Sequence, residues 1–134
     1  FDTVAPIAAR SHQDWSPVAF EDHMEHFYAV SDLVLARSGA LTISELAATA
    51  TPAIVVPYAA GTAGHQGANA SHLQRVGGVV VIPEAEIDRV SIELQQLLLD
   101  ASRRSSMAEG ARRAGRPDAA EVIARRLMEA ASGS

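Results

Sequence analysis

The stretch LVLARSGALTISELAATATPAIVVPYAAGTAGHQGAN, residues 33–69, decides the fold, because it sets two strand-to-helix loops in succession. Leu33, Val34, Leu35 and Ala36 form a short, uniformly apolar run, as expected of a parallel strand covered on both faces. Arg37, Ser38 and Gly39 follow as a tight loop, and the apolar spacing then turns helical at Leu41, Ile43, Leu46 and Ala47. Gly39 tolerates a positive φ and lets another molecule approach the backbone. Such a helix start, around Ala40, offers unpaired N–H groups and the positive end of the helix dipole, a combination that suits a phosphate. Ser38 and Thr42 add hydroxyl donors, and Glu45, about one turn inside, is placed to accept hydrogen bonds from a sugar diol. The same residues satisfy the capping-box spacing Thr42-x-x-Glu45, in which Glu45 only reaches back to a backbone N–H. Spacing leaves both readings open. Arg37 taken alone reads as a solvated or ion-paired side chain.

The second loop repeats the arrangement. Ala53, Ile54, Val55 and Val56 read as the next buried strand, stopped by Pro57. The connection over 58–67 carries three glycines and exceeds the roughly two to six residues usual in α/β units, which favours a functional role. A helix over 68–76 follows, with His65, Gln66 and Asn69 at or near its start. Polar side chains there either cap the helix or read sugar hydroxyls.

Outward from this centre the alternation continues. Gly77 and Gly78 end the helix, and Val79, Val80, Val81 and Ile82 supply another parallel strand, closed by Pro83. A helix over 91–100 presents Ile92, Leu94, Leu97 and Leu98 as a broad apolar face. An Arg-rich helix over 102–114 turns Met107, Ala108 and Ala111 inward. Residues 115–118, GRPD, stop the chain and restart it, with Asp118 as cap of a last helix through 128. Upstream, a short strand over 18–20 leads into a helix over 21–30 with acids in its first turn, whose Met24, Phe27, Tyr28 and Ser31 mostly face the core. The chain therefore reads as α/β, a Rossmann-like parallel sheet with helices on both faces and a ligand site at the C-terminal ends of the strands. Its organisation is an irregular lead-in over 1–17, an α/β core over 18–100 and C-terminal helices over 101–131.

Composition narrows the function. The 134 residues are enough for one real core, and 48% of them are hydrophobic. A net charge of −5 argues against nucleic acid or an anionic membrane as partner. All of that excess lies in residues 1–70, where seven acids face only Arg10 and Arg37. Cysteine is absent, which excludes disulfides, thiolate nucleophiles and Cys-ligated zinc. No signal peptide or membrane-length apolar run is visible, so a soluble intracellular protein is the simplest reading. His23 and His26 share a helix face beside Glu25, but they lack HExxH spacing, and the reading assigns no metal. Ser38 lies in R-S-G rather than a G-x-S-x-G elbow, so no nucleophilic serine is assigned.

The run ARSGALTISELAATATPAIVVPY, followed by HQGANA, resembles the C-terminal, nucleotide-sugar-binding domain of the MurG family. These glycosyltransferases add N-acetylglucosamine to the lipid-linked muramyl-pentapeptide precursor of the bacterial cell wall. The match is specific over about 20–81 and weaker through 130. The resemblance implies the partial C-terminal domain of a GT-B fold, cytoplasmic and peripheral at the inner face of the plasma membrane in the full-length enzyme. It implies that Arg37, Ser38, Gly39, Ala40, Leu41 and Thr42 face the diphosphate of UDP-GlcNAc and that Glu45 sits on the uridine ribose. By resemblance, Phe20 is the wall of the uracil and the main chain of Glu21 the reader of the base edge; from the residues alone Phe20 reads as a core side chain. Gln66 looks like the residue that holds the GlcNAc hydroxyls, with Asn69 nearby, and His65 stands where many members carry a second Gln.

By the same resemblance the reaction inverts configuration and needs no cofactor or metal in this domain. The acceptor site and the base belong to an N-terminal domain for which this chain has no room, so the beginning reads as cut. The last helix would pack toward that domain, leaving Val122, Ile123 and Leu127 exposed without it. The chain alone is expected to bind UDP-GlcNAc weakly or not at all and to turn nothing over. Rival readings are the donor domain of a natural-product glycosyltransferase, of a split transferase or of a UDP-sugar epimerase, and a non-catalytic α/β module.

Overall fold

The computed structural model describes residues 14–58 and 65–132, with Pro6 and Arg10, and of 65–68 the backbone alone. Within them α1 spans Met24–Val30, β1 Val34–Arg37, α2 Ala40–Thr49, β2 Ala53–Val56, α3 His65–Arg75 and β3 Val79–Val81. A 3-10 turn over Glu84–Glu86 leads into α4 (Arg89–Leu99), α5 (Ala101–Ala114) and α6 (Ala119–Ser132). The strands form a parallel sheet in the order β1, β2, β3, with Val34 beside Ala53 and Ala53 beside Val79. Parallel neighbours require a crossover, and α2 and α3 supply the two crossovers here.

The central strand carries the core. Every residue of β2 is buried, and its alternation divides the interior in two. Ala53 and Val55 point into a cluster with Tyr28, Ile43, Leu46, Leu73 and Ala111. Ile54 and Val56 point the other way, among Ile82, Val90, Leu97 and Met107. Helices therefore cover both faces of the sheet, as the alternating pattern implies.

The coverage is incomplete at β1. Leu35, on the second face, is 50% exposed, so the first strand is not hidden on both sides as its apolar run suggests. The expected strand over 18–20 is not formed either: those residues have no regular structure, and Val18 and Phe20 are exposed. A strand needs a hydrogen-bonded neighbour, and three apolar residues do not supply one. α1 opens at Met24 rather than residue 21, because the Glu21 carboxylate accepts the His23 N–H at 2.8 Å and holds the chain in a turn before the helix. Of its apolar residues only Tyr28 is buried; Met24 and Phe27 stay largely exposed. The face of α4 is likewise narrower than expected, with Val90 and Leu97 inside and Ile92 and Leu98 outside.

Helix ends are set by backbone chemistry. α3 closes in a Schellman motif: Gly77 N–H donates to Gln74 O at 2.9 Å and Gly78 N–H to Leu73 O at 2.8 Å, with Gly77 at φ 77°. α5 then lies directly on this turn. A Cβ on Gly110 would sit against the Val76 carbonyl oxygen and 3.0 Å from Gly77 C and Gly78 N. α2 ends differently. Ala50 takes the left-handed conformation at φ 55°, where its N–H donates to Ala47 O, and an alanine there carries the steric cost that a glycine avoids.

Two substitutions test these contacts by urea denaturation. Gly110→Ala is expected to lose about 1–3 kcal/mol, since overpacking against backbone outweighs the gain in helix propensity. Ala50→Gly is expected to gain roughly 0.5–1 kcal/mol by relieving the left-handed strain. A stable Gly110→Ala protein would contradict the close approach of α5.

Candidate functional site

Two helices begin at the C-terminal edge of the sheet, where the ends of β1 and β2 feed α2 and α3. α2 starts one turn earlier than the capping-box spacing implies. Gly39 is its N-cap, at φ −62° and ψ 150°, and Ile43 N–H donates to Gly39 O at 3.0 Å. Thr42 therefore lies inside the first turn rather than at the cap, so Thr42-x-x-Glu45 is not a capping box here. Nor does Gly39 use a positive φ. What glycine contributes is openness: a Cβ there would meet only Thr42 Oγ1, at 3.8 Å. No side chain caps this end and no acid occupies its first turn, so the N–H groups of residues 40–42 keep their positive field.

The residues around this start divide into open and closed. Ala40 and Leu41 are exposed, Leu41 by 79%, whereas Ser38 is fully buried. The Ser38 hydroxyl is therefore enclosed, in contrast to the exposed donor role read from its position. Arg37, at the end of β1, reaches across the sheet edge. Its Nη2 lies 2.7 Å from Glu84 Oε1, and its guanidinium carbon sits 5.4 Å from the centre of the Tyr58 ring. This ion-paired state fits what the residue alone suggests.

Glu45 is held from the side. The Tyr28 hydroxyl donates to Glu45 Oε2 at 3.0 Å, joining α1 to α2 across 17 residues of sequence. Tyr28 is only 6% exposed and Glu45 is half-buried. The phenol is pushed up to about 12, first by burial and then by the adjacent carboxylate, with the Thr42 hydroxyl acting the other way. The ring is anchored in turn, because Thr51 Oγ1 donates to Tyr28 O at 3.3 Å and Thr51 itself is buried. Sequence reasoning places Tyr28 in the core and misses this role. A tyrosine among inward-facing residues was the available signal, since a buried phenol needs an acceptor.

The other expected site residues are distributed more widely. Phe20 is 80% exposed, so it is no core residue, and the Glu21 side chain serves the start of α1. Asn69 lies in the second turn of α3, lining a cavity of about 270 Å³ with Ile43, Ser44, His72 and Arg116. α3 begins at His65, three residues earlier than expected, so His65 and Gln66 occupy its first turn. Their side chains lie outside the described residues. At the exposed start of α1, His23, Glu25 and His26 offer ligand atoms within 4.8 Å of one another. His23 Nδ1 is 3.0 Å from Glu25, and the two imidazoles stack at 5.3 Å. The Glu25 carboxyl is held below its usual range by a backbone hydrogen bond and then by His23.

Residues 4–123 match the glycosyltransferase family 28 C-terminal domain. A relative from Salinibacter ruber is 48% identical over 112 residues, which is 83% of this chain and 30% of that protein. One from Methylococcus capsulatus is 41% identical over 114 residues, 84% of this chain and 32% of that protein. Both are named UDP-N-acetylglucosamine--N-acetylmuramyl-(pentapeptide) pyrophosphoryl-undecaprenol N-acetylglucosamine transferase. The chain thus spans about a third of the length of the relatives it matches. In fold it is similar to the crystal structure of Acinetobacter baumannii MurG, with a TM-score of 0.80 and 24% identity, covering 96% of this chain and 40% of that one.

The Tyr28–Glu45 bond has a pH signature. Below about pH 10 the folded and unfolded chains both keep the phenol proton, and the contribution of Tyr28 is complete. As pH rises from there toward 12, the unfolded chain releases its proton first, so stability falls. The urea midpoint should drop through this window, and Tyr28→Phe should remove that part of the drop. An identical drop in the variant would show that the phenol is not held as described.

Proposed function

We propose that this chain, which belongs to glycosyltransferase family 28 through that family's C-terminal domain, binds the donor of an inverting hexosyltransferase. The donor is UDP-GlcNAc, and the acceptor is the lipid-linked muramyl-pentapeptide precursor of peptidoglycan, as in the names of the relatives. One observation carries the reading: an uncapped, acid-free helix start lies on the same helix as a carboxylate oriented by a buried tyrosine. Gly39 and Glu45 are six positions apart, about 9 Å along the helix axis. A nucleoside diphosphate spans that distance between its terminal phosphate and its ribose hydroxyls.

In this reading the N–H groups of residues 40–42 receive the diphosphate and Glu45 accepts hydrogen bonds from the ribose diol. Phe20 and the Glu21 main chain meet the uracil. Gln66, with His65 and Asn69 beside it, contacts the GlcNAc. Arg37 turns from Glu84 to the phosphates when the donor arrives. An acceptor hydroxyl attacks the anomeric carbon from the face opposite UDP, the bond from that carbon to the diphosphate oxygen breaks, and the helix start stabilises the departing charge. The base that takes the hydroxyl proton, and the acceptor site, belong to an N-terminal domain. The full-length protein works at the inner face of the plasma membrane as a peripheral enzyme. No helix among the described residues is long and apolar enough to cross a membrane.

Isothermal titration of UDP-GlcNAc into the full-length protein tests the donor site. Glu45→Gln keeps an acceptor for Tyr28 but removes the charge, and it should weaken binding by about tenfold, or ~1.4 kcal/mol. Unchanged affinity would remove Glu45 from the site, and tighter competition by dTDP-sugars than by UDP-GlcNAc would exclude this donor. The 134-residue chain on its own should show no GlcNAc transfer.

A further inference from the structure

We propose that Tyr28 is a positioning residue for nucleotide recognition: its hydroxyl fixes one oxygen of Glu45 so that the other faces the ribose diol. The inference rests on the assignment of Glu45 to the ribose and adds the element that orients it. Three observations carry it. The bond runs from Tyr28 Oη to Glu45 Oε2 at 3.0 Å, and Oε1 has no hydrogen bond among the described residues. The donor is rigid: the ring is buried with Ile43 and Leu46, and the residue's backbone oxygen is held by Thr51 Oγ1 and the Ser31 N–H. The acceptor, by contrast, is half-buried on the outer part of α2, where an untethered glutamate would sample several rotamers in water. Order therefore passes from α1 to Glu45.

The chemistry favours this direction of control. A carboxylate has room for about four hydrogen bonds across its two oxygens, so accepting one phenol leaves capacity for a diol. Fixing its torsions beforehand removes an ordering cost that binding would otherwise bear. Because burial and the neighbouring carboxylate keep the phenol protonated far above neutrality, it remains a donor across the physiological range. The packing role of the ring and the positioning role of the hydroxyl are separable, since phenylalanine retains the first and lacks the second.

The experiment compares UDP with 2′,3′-dideoxy-UDP as ligands of the full-length protein, by isothermal titration. The wild type should prefer UDP, and Glu45→Gln should abolish most of that preference. Tyr28→Phe should reduce the preference by about three- to tenfold while leaving dideoxy-UDP affinity unchanged, and should add nothing in the Glu45→Gln background. Incorporating 3-fluorotyrosine at position 28, which restores a hydroxyl, should restore the preference and also serves if the phenylalanine variant folds poorly. Equal weakening of both ligands by Tyr28→Phe would mean a purely structural tyrosine and overturn the positioning role alone. A wild-type-like preference in Glu45→Gln would overturn the ribose assignment and the inference with it.

Discussion

The structure depends on a middle strand that is hydrogen-bonded on both edges and covered on both faces. β2 pairs in parallel with β1 and β3, and all four of its residues are buried. Parallel pairing forces each return through a helix, and those helices then begin at the same edge of the sheet. The clustering of α2 and α3 N-termini there follows from the topology of the sheet. The sequence of the loops decides only what that edge does with its exposed N–H groups.

Charge at this edge is arranged against the trend of the chain. Residues 1–70 carry a net of −5, yet the first turn of α2 holds no acid. The acid that does approach, Glu45, is paired with a phenol farther along the helix. Arg37 is engaged with Glu84 from the far side of the sheet and stacks near Tyr58. On the proposed donor reading, a phosphate would compete with one carboxylate for this guanidinium, an exchange of partners at a half-exposed pair whose net strength in water is small.

Much of the fold was legible because its signals are local. The strands announce themselves as short apolar runs, with Pro57 and Pro83 just beyond the second and third, and the Gly77-Gly78 pair marks the end of α3 by a motif that only a left-handed residue completes. The errors share a cause. The run at 18–20 has strand-like residues but no neighbour, and a ladder cannot be inferred from one strand. Thr42-x-x-Glu45 matches a cap in spacing, but Gly39 starts the helix through its backbone alone, which no side-chain pattern reports. Tyr28 and Glu45 lie on different helices, and their meeting depends on how α1 lies across α2, a matter of packing. Of the residues that the family resemblance implies, Arg37 to Thr42 lie where β1 feeds α2, and the bond from Tyr28 to Glu45 is visible only in three dimensions.

The last helix differs from all the others. None of the described residues of α6 is buried, and Ile123, Leu127 and Met128 lie in solvent. A segment with only Val122 partly buried opens at low free energy, whereas the amides of β2 open only with global unfolding. Native-state hydrogen exchange on this chain would therefore be graded, with a C-terminal segment exchanging at almost the rate of a free peptide. Helical ellipticity would be lost in two stages, so a single two-state fit to circular dichroism would underestimate the cooperativity of the core.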